Sequence, residues 1–96
     1  MGVDELIRPN REQIRRIAEK HGARNVRVFG SIARGDAGPE SDVDLLVDTA
    51  ARTSAWFPGG LVADLEDLLG RRVDVVTERG LVAELRERVL REAVPV

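Results

Sequence analysis

Residues 26–47 read VRVFGSIARGDAGPESDVDLLV, and this stretch decides the fold. Its first four residues are a short β-branched and aromatic run, which predicts a strand. Residues 43–47 predict a second strand, because they are Val and Leu residues that alternate with an acidic residue at the beginning of the segment. Residues 30–40 are rich in Gly, Asp, Pro and Ser, which predicts a turn with a short helical segment. Because this connection is tight, we expect the two strands to pair antiparallel.

The flanking sequence adds helices and a third strand. Helical periodicity extends from Pro9 and Asn10 to about Lys20, and again over residues 61–69, where Gly70 ends it. Residues 72–77 predict the third strand, and residues 81–92 predict an amphipathic helix with Leu85 on its inner face. The long helical connection predicts that strands two and three are parallel neighbours. We therefore expect an α/β (α+β) fold, a mixed sheet of three to four strands flanked by helices, in a single domain over residues 1–96.

Composition excludes several functional classes. The chain of 96 residues has a formal charge of −2, no cysteine, no tyrosine, one histidine and one lysine. Thiol chemistry, histidine metal clusters and a P-loop are therefore excluded. Acids and arginines are interspersed along the chain, so we expect no stable binding to nucleic acid. The absence of a signal-like or membrane-spanning apolar run leads us to expect a cytoplasmic protein without membrane contact.

Two carboxylates begin the second predicted strand. Asp42 and Asp44 are two residues apart, so their side chains project to the same face, while Val43, Leu45 and Val47 face the core. Adjacent carboxylates repel one another unless a cation lies between them, and Mg²⁺ prefers such hard oxygen ligands. Taken alone, the pair is better explained as part of a solvated strand face.

A glycine and a serine follow the first predicted strand. Gly30 allows close approach of a phosphate to the backbone, and Ser31 adds an amide and a hydroxyl at the start of the helical turn. An ordinary turn with a serine cap would have the same sequence. The antiparallel pairing nevertheless predicts that this turn lies close to Asp42.

A third acid lies inside the third predicted strand. Asp74 is flanked by valines, and an acid at a strand interior is disfavoured by β propensity. It faces solvent or joins Asp42 and Asp44. In the second case, three carboxylates form a site that can hold two metal ions about 3.5–4 Å apart, an arrangement suited to displacement at phosphorus.

Together these residues resemble the signature of the minimal nucleotidyltransferases, within the DNA polymerase β-type nucleotidyltransferase superfamily. The similarity covers the Gly30–Gly35 motif, the Asp42-x-Asp44 strand, Asp74 and the closing residues 89–95. It implies Mg²⁺-dependent transfer of a nucleotidyl group, often adenylyl from ATP, with two ions held by Asp42, Asp44 and Asp74. The resemblance further implies that Asp74 helps to deprotonate the acceptor hydroxyl, and that Gly30 and Ser31 bind the triphosphate.

The resemblance also implies a partner. Such proteins are typically paired with a helical HEPN-type toxin and act as its antitoxin, by adenylylating or by masking it. We expect an active transferase; the alternative is a catalytically silent antitoxin that neutralises its partner by binding alone. Retention of all three acids favours catalysis, because a pure binding protein does not need a repulsive acid cluster.

Four further residues have open or structural interpretations. Arg34 contacts a phosphate, as its position in the motif indicates, or pairs with Asp36. We expect His21 to be a solvated residue at a helix C-terminus. For Trp56 and Phe57 we favour packing on the sheet edge, with contact to an adenine ring or a partner protein as the alternative.

Overall fold

The structure, a computed structural model, describes every residue from 1 to 96. Five helices, four strands and two short 3₁₀ turns follow one another along the chain. In order, they are α1 (Val3–Leu6), a 3₁₀ turn (Arg8–Asn10), α2 (Arg11–Lys20), β1 (Ala23–Phe29), α3 (Gly30–Arg34), β2 (Val43–Thr49), α4 (Gly59–Leu69), β3 (Val73–Thr77), a 3₁₀ turn (Glu78–Gly80), α5 (Ala83–Glu92) and β4 (Val94–Pro95).

The four strands form one mixed sheet in the order β3-β2-β1-β4. β1 is antiparallel to both β2 and β4, whereas β2 and β3 are parallel. The predicted antiparallel and parallel pairs are therefore both found, and the predicted mixed sheet flanked by helices is confirmed. The parallel pair places the starts of β2 and β3 at the same end of the sheet, and β1 ends at that end because it runs in the opposite direction.

One face of the sheet carries the main hydrophobic core. Val43, Leu45 and Val47 of β2 are buried on this face, as predicted, together with residues of α2 and α4. The opposite face carries the alternate residues of β2, namely Asp44, Leu46 and Asp48. Leu46 is fully buried, but it lies outside the main core cluster. The sheet therefore has one face covered by helices and a second face on which polar side chains are only partly covered.

The last helix differs from its prediction. It begins at Ala83, and its side chains are exposed as far as Arg88, including Leu85, which we had expected to face inward. Val89 is the buried residue of α5, and the helix packs against the short α3. Only the C-terminal part of α5 therefore lies against the domain, so helical periodicity in the first half does not correspond to burial. None of the helices has the length and apolar character needed to cross a bilayer.

The first strand is longer than predicted. β1 begins at Ala23, because its pairing with β2 continues through an irregularity between Arg24 and Arg27. Asn25 at this irregularity has a positive φ of 50°, a conformation that asparagine tolerates better than most residues. Polar residues at a bulge carry no strand periodicity, which explains why the sequence pattern begins only at Val26.

Candidate active site

Two of the predicted acids lie side by side on neighbouring strands. Asp44, the second residue of β2, is in direct register with Asp74, the second residue of β3. Residues in register on adjacent strands project to the same face, and this face is the one opposite the main core. Asp44 is half-buried, whereas Asp74 is exposed. The structure thus brings a partly covered carboxylate and a solvent-accessible one together at one end of the sheet.

The third acid lies nearby but has its own partner. Asp42 directly precedes β2, and its Oδ1 atom is 3.2 Å from Nε of Arg72. Both side chains are substantially exposed, so this ion pair adds little to stability. Asp42 is therefore close enough to act on Asp44 electrostatically, but its carboxylate is turned towards an arginine.

Burial and neighbouring acids raise the pKa of the Asp44 carboxyl above its ordinary value. Removal of water from the half-buried carboxylate is the largest cause, and the negative charges of Asp74 and then Asp42 add to it. Arg34 acts in the opposite direction and offsets part of the shift. Desolvation thus contributes more to the raised pKa of Asp44 than repulsion by the neighbouring carboxylates does.

The glycine turn lies directly beside Asp44. Phe29 at the end of β1 is in register with Asp44, so Gly30 follows immediately next to this acid. Gly30 has a positive φ of 74°, and a Cβ atom built on it would overlap the Asp44 carboxylate. Any other residue at position 30 would therefore strain the backbone and displace Asp44. Ser31 follows as the second residue of α3, partly exposed on the same turn.

Arg34 forms two ion pairs, one of which was not predicted from the sequence. Its Nε atom lies 3.3 Å from Oδ2 of Asp36, and its Nη1 atom lies 3.1 Å from both carboxylate oxygens of Glu92. Glu92 Oε1 also accepts a hydrogen bond of 2.6 Å from the Gly30 backbone N–H. Glu92 is the last residue of the amphipathic helix α5 and is 62 residues away from Gly30 in sequence. No local sequence pattern therefore indicates that these two residues are in contact.

The chemistry of the acids fits a hard divalent cation, but their arrangement is incomplete. Asp44 and Asp74 offer adjacent carboxylate oxygens on one face, which is the donor type that Mg²⁺ prefers. As they stand, no three carboxylate or imidazole side chains are grouped so as to hold an ion. The third carboxylate would have to come from Asp42, whose side chain would leave its ion pair with Arg72 to bind the metal ion. Metal binding by Asp42, Asp44 and Asp74 therefore remains a prediction.

Two members of the acid cluster, Asp42 and Asp74, are exposed to solvent. The three main cavities of the molecule are lined by other residues, and none of them includes Asp42, Asp44 or Asp74. The exposed carboxylates are therefore accessible to a large molecule.

His21 lies at the C-terminal end of α2, as predicted, but the prediction that it is solvated is wrong. This side chain is 7% exposed and lies between the loop after β2 and helix α4. Its Nδ1 atom is 2.7 Å from Oγ of Ser54, and its Nε2 atom is 2.7 Å from Oδ2 of Asp64. Both partners are more than 30 residues away in sequence. The local sequence around His21 therefore indicates only the end of a helix and not these hydrogen bonds. Burial of the ring is tolerated because both of its nitrogen atoms have hydrogen-bonding partners.

The two aromatic residues after β2 have different environments. Phe57 is partly buried and packs against the main core, whereas Trp56 is 92% exposed. The expected packing is therefore found for Phe57 and is wrong for Trp56. Trp56 also has a positive φ of 63°, which is uncommon for a residue with a large side chain.

Comparison with known proteins agrees with this geometry. The family model of the nucleotidyltransferase domain matches residues 11–96, which is most of the chain. The chain belongs to the nucleotidyltransferase family. Protein adenylyltransferase MntA of Thermococcus cleftensis is 38% identical over 94 residues, covering 98% of this chain and 92% of the relative. The resemblance stated from the sequence is thus confirmed.

Solved structures place this nucleotidyltransferase among the minimal members of the family. A structure assigned as a minimal nucleotidyltransferase is 49% identical, has a TM-score of 0.84, and is matched over 100% of this chain and 97% of that one. A toxin–antitoxin crystallised with AMP-PNP has a TM-score of 0.75 and covers 90% of this chain and 71% of that one. At 23% identity, this second likeness shows the fold alone.

Proposed function

We propose that this nucleotidyltransferase transfers an adenylyl group from ATP to a hydroxyl group on a partner protein, in a Mg²⁺-dependent reaction. The observation that carries the proposal is the register of Asp44 with Asp74, directly beside the Gly30–Ser31 turn. This arrangement brings two carboxylates and the proposed triphosphate-binding turn to one end of the sheet. The relative of Thermococcus cleftensis, which is named a protein adenylyltransferase, supports the adenylyl group.

Each residue has a role in this proposal. Asp42, Asp44 and Asp74 would hold the divalent ions, which supply positive charge that stabilises the charge developing on the phosphates. Gly30 and Ser31 would bind the triphosphate through backbone N–H groups and the serine hydroxyl. The acceptor oxygen bonds to the α-phosphorus as the bond to the pyrophosphate oxygen breaks. The exposed Asp74 carboxylate accepts the hydroxyl proton.

The exposure of the acids favours a protein acceptor over a small molecule. Asp74 and Asp42 are both exposed, and neither lines one of the three main cavities in which a small alcohol could be enclosed. The sequence contains no tyrosine, so a transferase directed at tyrosine would have to modify a separate chain.

We further propose that the partner is a HEPN-type toxin in the cytoplasm and that this chain acts as its antitoxin. Support comes from the fold, which is shared with a toxin–antitoxin crystallised with AMP-PNP. It also comes from the family resemblance seen in the sequence.

The test is a transfer assay with the product of the adjacent gene as acceptor. The chain is incubated with labelled ATP, Mg²⁺ and this partner, and intact masses of both proteins are measured. We expect one or more adenylyl groups on the partner, none with EDTA, and none with the Asp44→Asn variant. Formation of a neutralised but unlabelled complex would instead support a silent antitoxin, and transfer to a free alcohol would exclude a protein-directed enzyme.

A further inference from the structure

A glutamate from the last helix occupies the turn to which we assign the triphosphate. Glu92 Oε1 accepts a 2.6 Å hydrogen bond from the Gly30 N–H, and both of its carboxylate oxygens are 3.1 Å from Nη1 of Arg34. Hydrogen bonds with a charged partner are the stronger class, and the first of these is short. The Glu92 side chain is 18% exposed, so it is held in the turn rather than extended into solvent.

A phosphate and this carboxylate cannot use the same donor together. The Gly30 backbone carries a single N–H proton, which is directed at Glu92. A phosphate oxygen at this donor would also lie next to a carboxylate, and like charges at contact distance repel one another. The carboxylate therefore has the charge and the hydrogen-bonding partners that a phosphate group would have at this position.

The backbone that carries Glu92 is fixed on both sides. The Ala93 N–H donates to the carbonyl oxygen of Val89 at 2.9 Å, and Val94 in β4 is in register with Val28 in β1. Displacement of Glu92 therefore requires rotation of its side chain, without movement of the strand. Arg34, with its side chain 41% exposed, would then be free to contact the incoming anion.

We propose that Glu92 is an intramolecular competitor of the nucleotide triphosphate, which lowers affinity by holding Gly30 and Arg34 until a phosphate displaces it. This inference rests on the proposed function, because it takes the Gly30–Ser31 turn as the phosphate-binding site. It assigns to Glu92 control of nucleotide affinity, which is a role distinct from those of the metal-binding acids.

Calorimetry with a non-hydrolysable ATP analogue and Mg²⁺ tests the inference. Glu92→Gln keeps an oxygen that can accept from Gly30 but removes the charge, and we expect it to bind the analogue about three- to tenfold more tightly than the wild type. Adenosine, which has no phosphate, should bind both proteins equally. Glu87→Gln is the matched control, because Glu87 is exposed on the same helix and loses the same charge.

The outcomes separate the two proposals. No binding of the analogue to either the wild type or Glu92→Gln would overturn the proposed function itself, whereas binding by Glu92→Gln alone would support the inference. If the wild type binds the analogue and Glu92→Gln binds it equally well or more weakly, only the inference is overturned. The inference is also overturned if Glu92→Gln increases the affinity for adenosine as much as that for the analogue, or if Glu87→Gln increases the affinity for the analogue as much as Glu92→Gln does. If Glu92→Gln does not fold, Glu92→Asp provides the same test. Its shorter side chain withdraws from Gly30, so tighter binding supports competition and unchanged or weaker binding contradicts it.

Discussion

Two aspartates in this molecule have opposite electrostatic environments. Asp44 lies among other acids, and its pKa is raised, chiefly by desolvation and then by Asp74 and Asp42. The pKa of Asp64 is lowered, chiefly by its hydrogen bond with His21 and further by the charge of Lys20, although desolvation opposes this. One carboxylate is partly buried without a neutralising partner at contact distance, whereas the other has two basic neighbours.

The cluster around Asp64 has the properties of a structural support, whereas the acids around Asp44 have those of a functional site. The His21–Ser54–Asp64 cluster is satisfied internally, with both ring nitrogens in hydrogen bonds of 2.7 Å, and it connects the end of α2 to the loop after β2 and to α4. The Asp44–Asp74 pair has unfavourable electrostatics that the fold alone does not explain. Groups with a perturbed pKa, such as Asp44, occur preferentially at functional sites, and a bound cation would relieve the repulsion between the two carboxylates. We therefore expect substitutions in the two clusters to have opposite effects.

The largest expected effect is on catalysis, from Asp44→Asn. This change should lower the transfer rate by at least about 100-fold, because it removes a proposed metal ligand. The raised folded pKa of Asp44 favours the fold below its ordinary value of 3.8, and this contribution is lost as pH rises through the folded value. At pH 7 the charged form disfavours folding, so the metal-free variant should be as stable as the wild type or more stable.

Initial rates and urea unfolding curves measure the two effects of Asp44→Asn. Asp67→Asn is the control, because Asp67 is exposed on α4, and it should change neither quantity. A clear loss of metal-free stability in Asp44→Asn would mean that this acid supports the structure, and the contrast between the clusters would fail.

Two adjacent glycines probe the packing of the histidine cluster. A Cβ atom at Gly60 would lie 2.9 Å from Cε1 of His21, whereas a Cβ at Gly59 would meet nothing within 4 Å. Both residues begin α4, so alanine should have a similar helix-forming benefit at each. We expect Gly60→Ala to be less stable than Gly59→Ala by about 1–2 kcal/mol in urea unfolding. Equal stability would mean that His21 has room to move.

Much of the fold and the proposed site could be predicted from local sequence. The β2 pattern places Asp44 opposite three buried core residues, and the connection lengths gave the correct direction of every predicted strand pair. Two of the failures, at Glu92 and His21, share one cause. Glu92 contacts Gly30, and His21 contacts Asp64, across 62 and 43 residues respectively. Contacts between polar side chains at such separations depend on tertiary packing and have no periodicity, so one sequence does not reveal them.

A smaller effect is expected from acidification. Because the folded pKa of Asp64 is lowered, its contribution to stability is present above the ordinary value of 3.8 and is lost as pH falls through the folded value. The pKa of Asp44 is shifted in the opposite direction, so the contribution of Asp44 to stability increases as the pH falls while that of Asp64 decreases. The stability difference between wild type and Asp64→Asn should therefore shrink as the pH is lowered from about 5 to about 3. The free energies of unfolding of both proteins are measured with urea at each pH. A difference that stays constant between pH values of about 5 and about 3 would mean that the His21 contact does not stabilise the charged form of Asp64.

The smallest expected effect concerns Trp56, which follows the anchored Ser54 by two residues but is 92% exposed. Replacement by alanine should change the free energy of unfolding by less than about 0.5 kcal/mol, because the indole buries little surface. Its φ of 63° favours glycine over any residue with a Cβ, so Trp56→Gly should be more stable than Trp56→Ala, by less than about 1 kcal/mol. Ser54→Ala in the same loop is the comparison, since it removes a hydrogen bond from buried His21 and should cost about 1–2 kcal/mol. Urea unfolding of the three variants ranks them directly. A loss at Trp56→Ala as large as that at Ser54→Ala would mean that the indole packs against the domain, and that this loop is held by its exposed end as well as by the histidine cluster.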